Sequence, residues 1–411
     1  MHTVRVLAVL IAGTVAAGCA GESSRRVVVW SDIPEVAAYL ELFNASQDSY
    51  RAELRYHDRP GEHLRRAEEQ PDIVITRHLA NRDTAGLMHS LDRLLSSGRV
   101  DPGGFYGDLL QHGEIDGTQR FLPLSFDLPT IMFNRQAGLK LATFAIGALQ
   151  LREHGAAFNE RSGGRYTNMG FSPQWSEAFL YAFVQTAGTG FREQDDEMPK
   201  WDQEQLEQSL QHLIEWDAES NEGSAEVGRF ADRYLYDPDY QLLIRDRIGF
   251  AYTTAREFFS MRESQRKLLD YRWFGDGDIV RVLDGPVSLG VPRTGANRSG
   301  AETFIEWLYR RETHEALLQD LQRKRVRAFG ILGGFSALIE VNEHLFPRYY
   351  PELLGRIPPE RFLRFPDRQP IYWQSLRSDE IEPWLRRRLS QNGAEQTLEQ
   401  RLRTWLLRRG D

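Results

Sequence analysis

The feature that most constrains the fold is the stretch 111–140, in which two apolar runs of β-type residues are separated by an acidic residue and a proline. The runs are 121–126 and 130–134, and Asp127 and Pro129 lie between them. Proline cannot donate a backbone hydrogen bond, so the pattern indicates a bend rather than one continuous strand. A strand that bends in mid-course can leave one sheet and enter another. This stretch therefore predicts a chain crossing between two lobes.

Before this stretch, strand-like runs alternate with helical patterns. Residues 26–30 read RVVVW, a continuous β-branched run typical of a buried parallel strand, and 71–76 contain a second such run. Between them, apolar residues of the segment 36–43 fall at helical spacing. Repeated β–α units of this kind predict a mostly parallel α/β sheet.

The crossing segment also carries a resemblance to a known family. It resembles a signature of the extracellular solute-binding proteins of ABC importers, in the branch that includes maltose-binding protein. The matching residues are Gly117, Leu122, Pro123, Asp127, Phe133, Asn134 and Arg135. Further segments resemble the family in the same order: 71–76, 90–95, 247–254, 288–292 and 301–308. The resemblance covers most of residues 26–390 and is weakest at 136–160 and 190–240.

The resemblance implies an α/β chain with a two-lobed, periplasmic-binding-protein-like fold. Hinge crossovers would join two mixed, mostly parallel sheets flanked by helices. We expect lobe one to hold residues 27–126 and 288–330, and lobe two to hold 127–287 and 331–411. The implied function is capture of a small extracytoplasmic solute, with a sugar as the expected ligand, and its delivery to an ABC permease by hinge closure. A monomer that catalyses no reaction and needs no cofactor is expected.

The N-terminus predicts export and anchoring. Residues 1–18 combine a short basic start with an apolar core too short to span a bilayer, which is typical of a signal peptide. Cys19 follows small residues in a lipobox-like context, so we expect lipid on Cys19 and a tether over 19–26. An ordinary signal peptide with an incidental cysteine is the alternative. The expected location is extracytoplasmic, on a bacterial membrane.

Composition excludes several other classes. The formal net charge of −8 argues against nucleic acid as the main partner. Cys19 is the only cysteine, which excludes an internal disulfide and a cysteine metal cluster. The sequence holds no H-E-x-x-H, G-x-S-x-G or G-x-x-x-x-G-K-[ST] motif, and its histidines lack metal-ligand spacing, so no metal is expected.

A sugar site needs aromatic surfaces for C–H faces and polar side chains for hydroxyl groups. Side chains that follow predicted strands suit this role, because ligands of α/β sheets bind at the carboxyl ends of strands. Trp175 and Tyr252 could equally be core residues, Arg77 plain surface, and Asp32 a helix cap. The candidate ligand-binding residues are Trp30, Asp32, Arg77, His78, Asp127, Trp175, Tyr252, Thr253, Thr254 and Phe335.

Two other functions stay open at this stage. A ligand-sensing or adhesive surface lipoprotein could use the same fold. A carbohydrate-active enzyme would require two carboxylates that face each other across the cleft at a fixed separation.

Overall fold

The computed structural model describes residues 25–64, 69–137, 144–194, 198–390 and 396–410. The predicted signal peptide and the predicted lipidation of Cys19 lie outside these residues. No helix within the described ranges is long and apolar enough to cross a membrane.

The strands, in chain order, are β1 (Arg26–Ser31), β2 (Arg51–Tyr56), β3 (Ile73–Arg77), β4 (Glu114–Ile115), β5 (Thr118–Gln119), β6 (Phe121–Phe126), β7 (Pro129–Asn134), β8 (Ala145–Ile146), β9 (Glu160–Ser162), β10 (Arg165–Asn168), β11 (Phe250–Thr254), β12 (Leu269–Phe274), β13 (Val280–Arg281), β14 (Val287–Gly290), β15 (Phe335–Ser336) and β16 (Leu363–Arg364).

The helices are α1 (Val36–Ser46), α2 (Pro60–His63), α3 (Arg82–Ala85), α4 (Asp92–Ser96), α5 (Gly107–His112), α6 (Ala148–Phe158), α7 (Glu177–Thr186), α8 (Gln203–Ser220), α9 (Ser224–Tyr234), α10 (Asp239–Ile244), α11 (Ala255–Ser260), α12 (Glu263–Arg266), α13 (Arg298–Leu308), α14 (Arg311–Lys324), α15 (Phe346–Tyr349), α16 (Trp373–Leu376), α17 (Glu382–Ser390) and α18 (Leu398–Gly410).

Lobe one is built on a six-stranded sheet in the order β15-β6-β14-β3-β1-β2. Strands β1, β2, β3 and β6 run in one direction, and β14 and β15 run against them. The apolar stripe predicted for α1 is buried, with Val36, Tyr39, Leu40 and Phe43 facing the core. The β–α pattern at the start of the chain therefore forms as the sequence predicted.

Lobe two is built on a four-stranded sheet in the order β11-β7-β12-β8. Strands β8, β11 and β12 share one direction and β7 opposes them. Helix α7 covers this sheet with seven buried residues, and Ser176 caps its start by accepting from the backbone N–H of Phe179 at 3.1 Å.

Two extended segments cross between the sheets side by side. The first crossing is Asp127-Leu128, between β6 and β7, and the second is residues 282–286, between β13 and β14. The backbone N–H of Leu283 donates to the carbonyl of Asp127 at 3.0 Å, which joins the two crossings. The bend predicted around Asp127 and Pro129 is thus a crossing between sheets.

The third crossing comes later than the expected boundary at residue 331. Phe335 and Ser336 pair with β6 and extend the sheet of lobe one. Asn342 still donates to Tyr106 Oη of lobe one at 3.1 Å, whereas Glu352 pairs with Arg266 of lobe two at 2.7 Å. Residues 331–342 therefore stay with lobe one, because β6 offers them a free sheet edge.

Candidate functional site

A cleft lies where the carboxyl ends of strands from both sheets meet. Because β7 begins where β6 ends, the carboxyl ends of β1, β2, β3 and β6 face those of β8, β11 and β12. Asp32 follows β1, Arg77 and His78 lie at the end of β3, and Thr254 ends β11. The strand directions place these four predicted residues at the facing edges of the two sheets, and none of them lines the cavity between the lobes that is described below. Their role in ligand binding stays a prediction.

Trp30 and Asp32 form a corner of lobe one. The Trp30 ring is 2% exposed and packs on His57 with the ring centroids 4.0 Å apart. Asp32 accepts a hydrogen bond from Thr76 Oγ1 at 2.8 Å, and burial raises the pKa of Asp32 despite that bond. Burial also lowers the pKa of His57. Trp30 is therefore a core residue of lobe one, and Asp32 beside it is a partly buried carboxylate.

Arg77 and His78 connect lobe one to the second crossing. Arg77 Nη1 donates to the carbonyl of Gly285 at 3.1 Å. The His78 ring lies against Gly285 so closely that a Cβ on that glycine would be 2.5 Å from Nε2 of His78. Burial, together with the nearby charge of Arg377, lowers the pKa of His78 to about 3, so the ring is neutral. His78 is therefore fixed against the hinge.

A polar cluster surrounds Asp284, in the second crossing. Its carboxylate accepts hydrogen bonds from Tyr181 Oη, from Trp373 Nε1 at 3.1 Å, from Gln369 Nε2 at 3.2 Å and from Gln185 Nε2 at 3.3 Å. The donors come from helix α7 and from the C-terminal part of the chain. One carboxylate thus holds three separate segments together at the hinge.

Arg377 lies beside this cluster in lobe two. Its guanidinium is 4.9 Å from the centroid of the Tyr181 ring and 3.1 Å from Glu382 Oε1. Burial raises the pKa of Glu382, although the charge of Arg377 opposes that shift. Tyr252 is 9% exposed and packs edge-on against Phe179. Burial raises the pKa of Tyr252 as well.

Thr253 and Thr254 organise the start of α11. Thr253 Oγ1 donates to Glu257 Oε2 at 3.0 Å, and Thr254 Oγ1 accepts from the backbone N–H of Glu257 at 3.2 Å. Glu257 also accepts from the backbone N–H of Thr254 at 3.1 Å, which completes a capping box. The two threonines therefore position Glu257 at the edge of the cleft.

Asp127 holds the first crossing. Its Oδ1 accepts from the backbone N–H of Leu128 at 2.9 Å and from the backbone N–H of Arg256 at 3.0 Å. Burial nevertheless raises the pKa of Asp127 to about 7. The Arg256 side chain in turn donates to the carbonyl of Gly333 at 2.9 Å. Asp127 thus ties the crossing to the start of α11.

Two aromatic residues that were predicted to contact the ligand, Trp175 and Phe335, pack against other rings of the protein. Trp175 packs between rings of lobe two, stacked on Phe230 at 5.8 Å with an angle of 20° and edge-on to Phe171 at 6.0 Å. Phe335, expected at the mouth of the cleft, is 1% exposed and stacks on Phe126 inside the core. The short strand β15 turns its ring inward, because it pairs with the buried strand β6.

Residues 365–373, here called the C-terminal strap, pass between the lobes. Phe365 packs edge-on against Phe126 of lobe one, with centroids 5.3 Å apart. Farther along, Ile371 fills the space beside Gly61, where an added Cβ would lie 2.5 Å from Ile371 Cδ1. The strap thus contacts lobe one at both of its ends.

A salt bridge joins the two lobes next to the strap. Arg409 of α18 lies 2.6 Å from Glu62 of α2, and its guanidinium also lies over the rings of Tyr372 and Trp405 at 4.8 and 5.5 Å. The side chains of Arg409 and Glu62 are 31% and 17% exposed. We call this pair the latch, because it joins the C-terminal helix of lobe two to lobe one.

A cavity of about 440 Å³ lies between the lobes on one side of the strap. Its lining is mostly charged, with Arg82, His112 and Glu114 from lobe one and Glu193 and Arg368 from the other side. The backbone N–H of Arg82 donates to Glu193 Oε2 at 3.0 Å across the gap. Burial lowers the pKa of His112 to about 4. The cavity suits a polar ligand.

No group of three or more His, Cys, Asp or Glu residues with metal-binding geometry occurs in the part of the chain that the structure describes.

Sequence reasoning missed the Asp284 cluster and the strap. Asp284 is 103 residues from Tyr181 and 85 residues from Gln369, so no local pattern connects them. One signal was available in the sequence, since Asp284-Gly285-Pro286 lies at the expected lobe boundary and just before 288–292, a segment that resembles the family.

No protein-family model matches the sequence, and no curated protein matches it. Solved structures share its fold. A sugar transporter from Rhizobium etli in an open conformation has a TM-score of 0.64 at 14% identity, over 92% of this chain and 97% of that one. The GacH receptor of Streptomyces glaucescens has a TM-score of 0.63 at 12% identity, over 93% of this chain and 97% of that one.

A third structure is the maltose/maltodextrin-binding domain from Bdellovibrio bacteriovorus bound to maltotriose. Its TM-score is 0.58 at 14% identity, over 94% of this chain and all of that one (100%). These similarities extend over both lobes. They confirm the predicted α/β fold with two lobes of the periplasmic-binding-protein type.

Proposed function

We propose that the chain is an extracytoplasmic binding protein that captures a carbohydrate between its lobes and delivers it to the permease of an ABC importer. Two buried nitrogens at the carboxyl end of β3 carry this proposal. Arg77 Nη2 and His78 Nδ1 have no hydrogen-bond partner among the described residues. Since buried polar groups in native proteins are nearly always paired, these two suit a ligand rich in hydroxyl groups.

The other groups around the cleft fit the same chemistry. His57, which is partly exposed and packs on the buried Trp30, offers an aromatic ring, and Asp32 offers a carboxylate that can accept from hydroxyl groups. In lobe two, the buried rings of Tyr181 and Trp373 donate to Asp284 and fix the second crossing beside the cleft. A few polar groups among aromatic rings are what a sugar site requires. Structures of the same fold bound to maltotriose and to acarbose support the carbohydrate class.

The proposed mechanism is hinge closure. The lobes are joined by extended crossings, and contacts such as the latch connect the cleft edges. A ligand that contacts both lobes favours the closed arrangement by its differential affinity for that arrangement. The permease would recognise the closed form. The chain acts in this proposal as a binding protein and not as an enzyme.

Lipid on Cys19 would anchor the protein to a bacterial membrane, with residues 19–26 as the tether. The change Cys19→Ala removes the only thiol. We expect it to release the protein from membrane fractions, because a single attachment point would be lost. Normal processing with retention in the membrane would contradict the anchor.

The carbohydrate proposal is tested by calorimetric titration of the purified protein with maltotriose, mannotriose, an amino-acid mixture and a polyamine. We expect a trisaccharide to bind. The change Asp32→Asn keeps an oxygen for Thr76 but weakens acceptance from ligand hydroxyls, so affinity should fall about tenfold.

Asp92→Asn is the matched control, since Asp92 accepts from Ser90 at 2.6 Å and from the Gln119 backbone at 3.0 Å, outside the cleft. It should leave affinity unchanged. Binding of the polyamine or an amino acid in place of both sugars would overturn the carbohydrate class. Equal losses in both variants would remove Asp32 from the site.

A further inference from the structure

A second large depression lies on a different face, where α14 of lobe one meets α11 and α12 of lobe two. It encloses about 790 Å³, and the turn 348–352 forms its end. Arg266 and Glu352 form an ion pair at 2.7 Å on the side of lobe two. We call this depression the basic groove. None of the residues assigned to the ligand cleft lines it.

The basic groove has an unusual charge for this chain. Seven basic and two acidic side chains line it, a surplus of five positive charges, whereas the whole chain carries −8. Arg262, Arg325 and Arg327 are exposed, and none of them forms an ion pair within the described residues. Clustered guanidinium groups without counter-charges attract anions and raise their local concentration.

Apolar surface accompanies these charges. Val326 lines the groove and is 45% exposed, and Met261, Tyr349 and Tyr350 are partly exposed along the same surface. Lone exposed apolar residues are common on protein surfaces. Here they lie among arginines in one concave site, which suits a partner that carries both carboxylates and apolar side chains.

We propose that the basic groove binds an acidic, partly apolar peptide segment of a partner protein. Guanidinium groups bind carboxylates through two parallel hydrogen bonds, so the three arginines can each hold an acidic side chain. A concave site between two walls accepts an extended chain, whereas a flat anionic bilayer would reach only its rim. The shape therefore favours a peptide over a membrane surface.

Residues from both lobes line the basic groove, so its shape depends on how the lobes are arranged. Arg325 and Arg327 follow α14 of lobe one, and Arg262 precedes α12 of lobe two. A segment that contacts both walls has different affinities for the open and closed arrangements. Its binding is then coupled to ligand binding in the cleft, and the coupling acts in both directions.

The test is fluorescence anisotropy with the full chain and a labelled peptide of alternating glutamate and leucine. A lysine–leucine peptide of the same length is the charge control. We expect the acidic peptide to bind, more weakly as salt increases, and the basic peptide not to bind. The triple variant Arg262→Glu, Arg325→Glu, Arg327→Glu should weaken binding about tenfold or more.

A second triple variant, Arg51→Glu, Arg93→Glu, Arg165→Glu, has the same net charge. Its three arginines are exposed, lie outside the groove and form no ion pair within the described residues. It should change affinity less than about twofold. Equal losses in both triple variants would show that net charge alone attracts the peptide and would overturn the proposal. Binding to phosphatidylglycerol vesicles without binding to the acidic peptide would also overturn it.

Discussion

At the scale of single residues, two opposing effects act on the pKa of Asp127. Two backbone N–H groups bond to its carboxylate, which favours the charged form, but burial disfavours that form more strongly and raises the pKa to about 7. The hinge therefore contains a carboxyl group that is partly protonated near neutral pH. Its protonation state changes the stability of the fold.

This gives a prediction for pH dependence. The pKa of Asp127 is about 7 in the folded chain and near the ordinary value of 3.8 in the unfolded chain. Between these values the folded state binds a proton that the unfolded state lacks, so the free energy of unfolding decreases as pH rises from about 4 to about 7. The full effect is on the order of 4 kcal/mol. Urea denaturation at several pH values measures this slope.

The variant Asp127→Asn keeps an acceptor for both backbone N–H groups and cannot ionise. We expect its stability to fall less between about pH 4 and about pH 7 than that of the wild type. Asp116→Asn, at an exposed turn position outside the hinge, is the control and should leave the slope unchanged. Parallel slopes for wild type and Asp127→Asn would show that Asp127 titrates alike in both states.

Individual cleft residues were predictable only where a strand end positions them. Asp32, Arg77 and His78 lie at the cleft edge because the carboxyl ends of parallel strands share one side of a sheet. Trp175 is also next to a helix start, but Phe230, which stacks on it, comes from a helix 55 residues later, and no local pattern indicates that contact. Side-chain environments set by distant segments were beyond sequence reasoning.

At the scale of elements, the second crossing depends on a glycine. Gly285 has φ of +70°, and the ring of His78 lies against it. Residues other than glycine adopt this backbone conformation at a cost of about 1 kcal/mol or more. Both the backbone conformation and the close approach of His78 therefore require glycine here.

The variant Gly285→Ala should lower the free energy of unfolding by about 2–4 kcal/mol, from backbone strain plus displacement of His78. Gly277→Ala is the matched control, since Gly277 has φ of +57° but nothing within 4 Å of an added Cβ. Gly277→Ala should lower the free energy of unfolding only by the backbone strain, about 1–2 kcal/mol. Equal losses of unfolding free energy in both variants, measured by chemical denaturation, would mean that the second crossing and His78 shift to accommodate the added methyl group.

The strap and the latch are the second element that connects the lobes. The latch pair Glu62–Arg409 is partly shielded from solvent and connects the lobes, so it stabilises their contact by about 1 kcal/mol. The variant Glu62→Gln should shift the equilibrium between joined and separated lobes about fivefold towards separation. A larger radius of gyration in small-angle X-ray scattering would be the result.

Glu399→Gln is its control, because Glu399 pairs with Arg403 at 2.7 Å within the same helix α18 and does not connect the lobes. It should leave the radius unchanged. If both variants match the wild type in scattering and in ligand affinity, the latch has no part in holding the lobes together.

The first strands and the first crossing could be predicted from the sequence, because β-branched runs, Asp127 and Pro129 are local signals. The second crossing followed only from the boundary at residues 287–288 that the resemblance implies. The strap and the late third crossing could not be predicted. Residues 365–373 contain two prolines and no periodic pattern, and their course is set by contacts with Phe126 and Gly61, more than 230 residues earlier in the chain. Nothing in the sequence distinguishes Ile371 and Phe365 from other apolar residues, because their contacts form only in the folded chain.

At the scale of the whole molecule, the two lobes, the crossings and the cleft belong to one mechanical arrangement. The resemblance predicted the two-lobed fold because the order of the segments along the chain determines the topology even at low identity. The backbone hydrogen bond between Leu283 and Asp127 joins the first two crossings. The proposed hinge closure would therefore change the cleft, the latch and the basic groove together.

A trisaccharide that binds between the lobes should therefore make the whole protein more compact. Ligand contacts to both lobes favour the closed arrangement, so we expect a smaller radius of gyration at saturating ligand than without ligand. The difference should be larger for Glu62→Gln, because that variant begins with more separated lobes. Scattering is measured on samples whose saturation has been verified by calorimetry. An unchanged radius in both proteins would contradict hinge closure and would leave the two-lobed fold standing.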